Sequence, residues 1–147
     1  KYQAERCIDG MEDGILCHSL ADKAPWLALD FGAEVTVDRI SIHNRDDCCG
    51  YRLRNVEVRV ANQLPSSGQV MFRGGQFLAS FHGPANDGQV VTLTSRAELA
   101  ARYVIIQIDN SPGTDYLNLN EVTVWGKKTG KININVDILG PSHWCFG

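Results

Sequence analysis

Apolar and polar residues alternate with a period of two in several short stretches of this 147-residue chain, the pattern of strands that bury one face. Val56, Val58 and Val60 alternate with Glu57 and Arg59. Val35 and Val37 set one phase and Ile40 and Ile42 the opposite one, which predicts a bulge near Asp38 and Arg39. Residues 89–94 come after the turn signal Ala85-Asn-Asp-Gly88. Residues 102–108 are dense in β-branched side chains, as a central strand is, and residues 121–125 come after a Pro112-Gly113 turn. Residues 131–138 alternate strictly. The stretch 94–101, with Ser95 as cap and Glu98 three positions on, predicts one helical turn. Many short strands joined by Gly-, Pro- and Asn-rich loops predict an all-β, antiparallel sandwich or barrel. The basic stretch 127–131 reads as a linker, and the residues beyond it as a tail or an added strand.

Composition narrows the function classes. The chain is 44% apolar and 21% charged, ordinary for a folded single domain and unlike a disordered segment. Its net charge of −3 argues against a nucleic-acid module, which needs a basic face to neutralise phosphates. No apolar run approaches the roughly 20 residues that cross a bilayer, and the opening Lys1-Tyr-Gln-Ala4 reads as a mature or truncated product rather than a signal peptide. The five cysteines, at 7, 17, 48, 49 and 145, show no C-x-x-C spacing, which excludes zinc-ribbon and thioredoxin readings. Neither G-x-S-x-G nor H-E-x-x-H occurs. The adjacent carboxylates Asp46 and Asp47, flanked by two arginines, would both stay ionised and supply no general acid, so the chain does not read as an enzyme.

The densest polar window runs from Ile42 to Arg52, a strand end entering a loop. Arg45 and Arg52 flank two carboxylates and the pair Cys48-Cys49. A salt-bridged surface loop is the plain reading of such a cluster. Against it, a guanidinium is a planar fork of donors, and two forks aimed at one point grip hydroxyl and ring oxygens. At least one of Asp46 and Asp47 is expected to brace the arginines. Sulfurs joined across adjacent residues would make a rigid, weakly polar ring beside them.

His18, then twenty-six residues, Arg45, one residue, Asp47, four residues, Arg52 resembles the sugar-binding signature of the F-type lectins, or fucolectins. Cys48-Cys49 stands where that family has its contiguous disulfide. The phrases Pro25-Trp-Leu-Ala-Leu-Asp-Phe-Gly32 and Leu119-Asn-Glu-Val-Thr-Val-Trp-Gly126 resemble the wider discoidin, or coagulation-factor C-domain, framework. The resemblance runs from about Arg6 to Gly126 and implies a discoidin-like galactose-binding-domain jelly roll over residues 1–126, whose usual first strand this chain either lacks or has had cut away, with 127–147 as a C-terminal tail. That tail is expected to fill a vacant sheet edge.

The resemblance implies terminal L-fucose as ligand. His18, Arg45 and Arg52 would hydrogen-bond its hydroxyls and ring oxygen, Asp47 would orient both arginines, and the Cys48–Cys49 disulfide would pack against an apolar edge. One or two of Met11, Ile15 and Leu16, just before His18, would receive the 6-methyl group, ordinary packing being the rival. The family's structural calcium ion implies Asp9 of Ile8-Asp9-Gly10 and Glu121 as carboxylate ligands, with carbonyls from Arg6, Met11 and Asn120. Three departures stand out: Arg6 replaces a usual asparagine, the Asp9–His18 loop is short, and Asn120 replaces a cysteine. Cys7 and Cys17 pair with each other, or either with Cys145. The expected partners are fucosylated glycans outside the cell, with avidity from homo-oligomers or from a larger multidomain chain. The rival classes are a discoidin-type adhesion module binding protein or anionic lipid, and a structural domain of a larger extracellular protein.

Overall fold

The computed structural model describes residues 4–11, 16–66, 71–128 and 137–139. A 3-10 turn, Ala4–Cys7, opens it. The strands are β1 (Cys17–His18), β2 (Trp26–Asn44), β3 (Val56–Ala61), β4 (Gln76–Phe81), β5 (Val90–Ile108), β6 (Asn118–Lys128) and β7 (Asp137–Leu139). A second 3-10 turn, Gly50–Arg52, lies between β2 and β3. Pairing is antiparallel throughout, in the order β1-β6-β2-β5-β3-β4, with β7 added to β2.

The two nineteen-residue strands make this single sheet into a sandwich. The early part of β2, Trp26 to Asp30, pairs with Tyr103 to Gln107 of β5, and there β3 flanks β5. The later part, Val35 to Asn44, lies between β5 and β6. Between them the register breaks at Asp30/Val35, where Gly32 takes a positive φ of 74°. Asp30 pins this corner. Its Oδ1 accepts the Gly32 N–H at 2.8 Å, and its two oxygens take the Arg102 fork at 2.8 and 2.9 Å. Bends that carry strands from one layer into the next are how orthogonal sandwiches make corners.

The core is a large cluster, with a smaller one of Ala28, Ala61, Phe72 and Ile105 on the other face of the early β2 and β5 segments. The large cluster draws Leu27, Leu29, Val37, Ile40 and Ile42 from β2, Val56, Val58 and Val60 from β3, Val104, Ile106 and Ile108 from β5, and Leu119 and Val122 from β6. The phase flip in β2 is a bulge: Val37 faces Gly126 and Arg39 faces Trp125, which leaves Asp38 over. Both Val37 and Ile40 thereby point inward.

Three expectations change. Residues 89–94 and 102–108 belong to one strand, and no helical turn interrupts it. Val37 pairs with Leu99 and Arg39 with Thr94, so residues 95–98 leave the ladder as an excursion. There Ser95 Oγ accepts the Ala97 N–H at 3.2 Å; the cap-like serine makes a turn instead of a helix. β6 runs on through Lys127 and Lys128, paired with Thr36 and Val35, so those two residues are strand and not linker. In the tail, Asp137–Leu139 pair with Ala28, Leu29 and Asp30 of β2; residues 131–136 of the expected strand and 129–130 of the expected linker lie outside the described residues. Cys7 and Cys17 are disulfide-bonded to each other.

Candidate functional site

At one end of the sandwich β1, the exit of β2 and the approach to β6 meet. β1 is only two residues long, and three bonds hold it. Cys17 is tied to Cys7, Ser19 N–H donates to the Leu117 carbonyl at 2.9 Å, and Leu117 N–H donates to Ser19 Oγ at 2.9 Å. His18 is half-buried there, opposite Asn118. Its Nδ1 lies 2.6 Å from the Ser19 carbonyl, which only accepts, so Nδ1 carries the proton and Nε2 is the accepting nitrogen of the neutral ring. Burial, and then the positive charges of Arg45 and Arg52, hold the His18 pKa below the usual 6.5, against opposing pulls from the Ser19 bond and Asp115.

Arg45 is the first residue beyond β2. Its Nε and a terminal nitrogen reach both oxygens of Asp47, at 2.5 and 3.2 Å. That bond holds the exposed Asp47 carboxyl below its ordinary value. Arg52 closes the second 3-10 turn. Its Nε lies 3.3 Å from Asp115 Oδ1, and its guanidinium sits over the Tyr116 ring at 4.8 Å. The Tyr116 ring also packs on His18, with centroids 4.8 Å apart. Arg54 takes the other Asp115 oxygen at 3.0 Å.

The loop between the arginines is clamped from beneath. Asn44 Nδ2 donates to the Gly50 carbonyl at 3.0 Å and to the Asn86 carbonyl at 2.9 Å, and Gly50 N–H donates to Asp87 Oδ1 at 2.6 Å. Cys48 and Cys49 are bonded to each other, with Cys49 in the left-handed region at φ 63°. This half-buried ring lies in the loop that joins the two arginines. Glycine is required next to it: a Cβ on Gly50 would stand 2.5 Å from the Asp87 backbone nitrogen.

The chain matches the F5/F8 type C family described as NedA-like, galactose-binding domain, over residues 6–136. It is 30% identical to the fucolectin of Anguilla anguilla over 127 residues, covering 83% of this chain and 75% of that protein. The chain belongs to the fucolectin family. It is also 32% identical to a pentraxin fusion protein of Xenopus laevis, covering 85% of this chain but spanning only 29% of that longer protein. A crystal structure of an F-lectin from striped bass (Morone saxatilis) serum superposes with a TM-score of 0.72 at 26% identity, over 84% of this chain and 41% of that one. A fucose-binding module of Streptococcus pneumoniae gives a TM-score of 0.65 at 25% identity, over 86% and 84%. These relatives are lectins and binding modules by name, in line with a binding domain rather than an enzyme.

Within this fucolectin fold, the signature residues are brought together, but their bracing differs from expectation. Asp47 holds Arg45 alone; Arg52 is held by Asp115, sixty-three positions away in sequence. Asp115, Tyr116, Arg54, Asn44 and Asp87 were not singled out by spacing. For Asp115 and Tyr116 the local signal is the Pro112-Gly113 turn, which folds them back toward β1, where Asp22 and Asp115 form a bridge. Of the residues expected to meet the sugar methyl, Leu16 is instead core, only 2% exposed, because the Cys7–Cys17 bond draws its neighbour inward. Met11 is 47% exposed. Ile15 lies outside the described residues.

Of the expected calcium ligands, Asp9 is paired with a cation of the chain's own, Arg6. Gly10 N–H, next to Asp9 in the chain, donates to Glu121 Oε2 at 3.1 Å. Asp9 Oδ1 accepts the Met11 N–H at 2.9 Å, and its Oδ2 is paired with the Arg6 guanidinium at 3.0 Å. Among the described residues no three acidic, histidine or cysteine side chains gather as a metal cluster. Calcium takes six to eight oxygens, and a carboxylate already satisfied by a guanidinium is a poor first one. The described side chains therefore do not make up a calcium set.

Proposed function

We propose that this domain is a lectin that captures terminal L-fucose on glycans through His18, Arg45 and Arg52, with the Cys48–Cys49 ring supporting an apolar edge of the sugar. The observation that carries the reading is the hydrogen-bonding sense of the site. The Ser19 carbonyl fixes His18 Nε2 as an acceptor, while two pre-braced guanidiniums supply only donors. A neutral hydroxyl satisfies both, since it donates to the imidazole and accepts from an arginine. A carboxylate cannot donate, and an ammonium cannot accept.

The fucolectin and fucose-binding relatives support the same ligand. Bracing by Asp47 and Asp115 removes rotamer freedom before the sugar arrives, so less of the binding energy is lost to ordering. A monosaccharide offers few atoms, so useful avidity comes from several such domains acting together. Two disulfides suit an oxidising, extracellular setting.

The test is a glycan array with the intact chain, together with capture on fucosylated beads by Arg45→Ala and Arg52→Ala. Each loses charged hydrogen bonds of about 1.5–3 kcal/mol, a roughly ten- to hundredfold drop in affinity, with an unchanged circular dichroism spectrum. Equal capture by both variants, or an array silent for fucose, sinks the assignment.

A further inference from the structure

We propose that Arg6 serves as a built-in cation, so that this lectin domain folds and captures sugar without a divalent metal ion. The loop after the first 3-10 turn needs two things: compensation for the carboxylates Asp9 and Glu121, and restraint of a chain that must deliver His18. Arg6 supplies the first, through its guanidinium on Asp9 Oδ2 at 3.0 Å. Backbone donors complete the compensation, since Met11 N–H takes the other Asp9 oxygen and Gly10 N–H, at a positive φ of 72°, takes Glu121.

The Cys7–Cys17 bond supplies the second. It closes a loop of sequence separation 10 whose far end is the residue before His18. Covalent closure, a guanidinium and two amide donors thus cover what a bound dication would do. A dication on Asp9 would have to sit against the Arg6 charge, and like charges at that range oppose one another.

The experiment compares the intact, chelator-treated protein in excess calcium chloride and in EDTA. Its melting temperature is expected to agree within about 1 °C, and titration with calcium chloride to give no binding heat. A rise of several degrees in calcium, the signature of a ligand bound only by the native state, overturns the proposal. Arg6→Met is expected to lower the melting temperature equally in both buffers and to speed hydrogen exchange at the Gly10 and Met11 amides. An unchanged melting point and unchanged exchange in that variant also overturn it. If Arg6→Met does not fold, the calcium titration of the native chain decides alone.

The proposal deepens the fucose reading, in that bead capture should be equal in calcium and in EDTA. The two fail separately. A chain that captures no fucose in either buffer ends the sugar assignment, whereas the calcium titration and melting curves still decide the role of Arg6.

Discussion

His18 holds its Nδ1 proton on the Ser19 carbonyl and presents Nε2 as an acceptor, so protonation reverses what the ring offers to a hydroxyl. Burial and the two arginines depress its pKa, so the unfolded chain takes up this proton at a higher pH than the native fold does. Between the ordinary value of 6.5 and the depressed native value, the unfolded state therefore binds more protons, and stability rises with pH. The contribution is complete above 6.5 and is lost as the pH falls toward the native value. Melting temperature should decline below about pH 6.5, whereas fucose capture, which follows the native ring, should hold until the pH falls through the depressed native value; His18→Gln should flatten the His18 part of the decline in melting curves. Asp115→Asn releases Arg52 and Arg54 together. It should weaken bead capture about tenfold while leaving Arg45 braced by Asp47. Asp46→Asn, an exposed residue outside both bracing pairs, serves as the control. The spacing His18–Arg45–Arg52 was legible in the sequence because a local signature carries it. Asp115 and Tyr116 were not, since a contact made across the fold leaves no interval to read.

The element that matters most is the turn joining the two arginines. Three short bonds from Asn44 and Asp87 hold it, and Gly50 is packed so closely that a methyl group has nowhere to go. Gly50→Ala should cost roughly 1–3 kcal/mol in urea unfolding and, by shifting Asp87 or the turn, lower fucose affinity as well. Equal stability of variant and native chain would contradict this account. The bulge in β2 was readable because it flips the phase of the apolar residues. The excursion in β5 was misread as helix because Ser-x-x-Glu is a capping pattern whether or not a helix forms. Strand pairing on both sides of residues 95–98 overrides it. β4 went unrecognised because its run, Gln76-Phe-Leu-Ala-Ser-Phe, lacks clean alternation and its first residues are exposed.

For the whole molecule, the late strand β7 covers the early part of β2, a stretch that β6 does not reach. Truncation after Lys128 would leave Ala28, Leu29 and Asp30 with one unpaired backbone edge. The shortened chain should melt at lower temperature and self-associate in light scattering at concentrations where the full chain stays dispersed. The sandwich itself was legible from short strands and turn residues. What the alternation could not disclose is that two of those strands are twice the expected length and belong to both layers, because the corner at Asp30 and Gly32 keeps the chain extended as it changes direction.

β2 ends at Asn44, one residue before Arg45, and along its later part it is laddered to β5 on one side and to β6 on the other. Tension applied through a captured sugar would enter the fold along that strand. It would load both ladders in shear, where many bonds must break at once, rather than unzip them singly. Arg45 is thus mounted at the end of a strand that is paired on both sides.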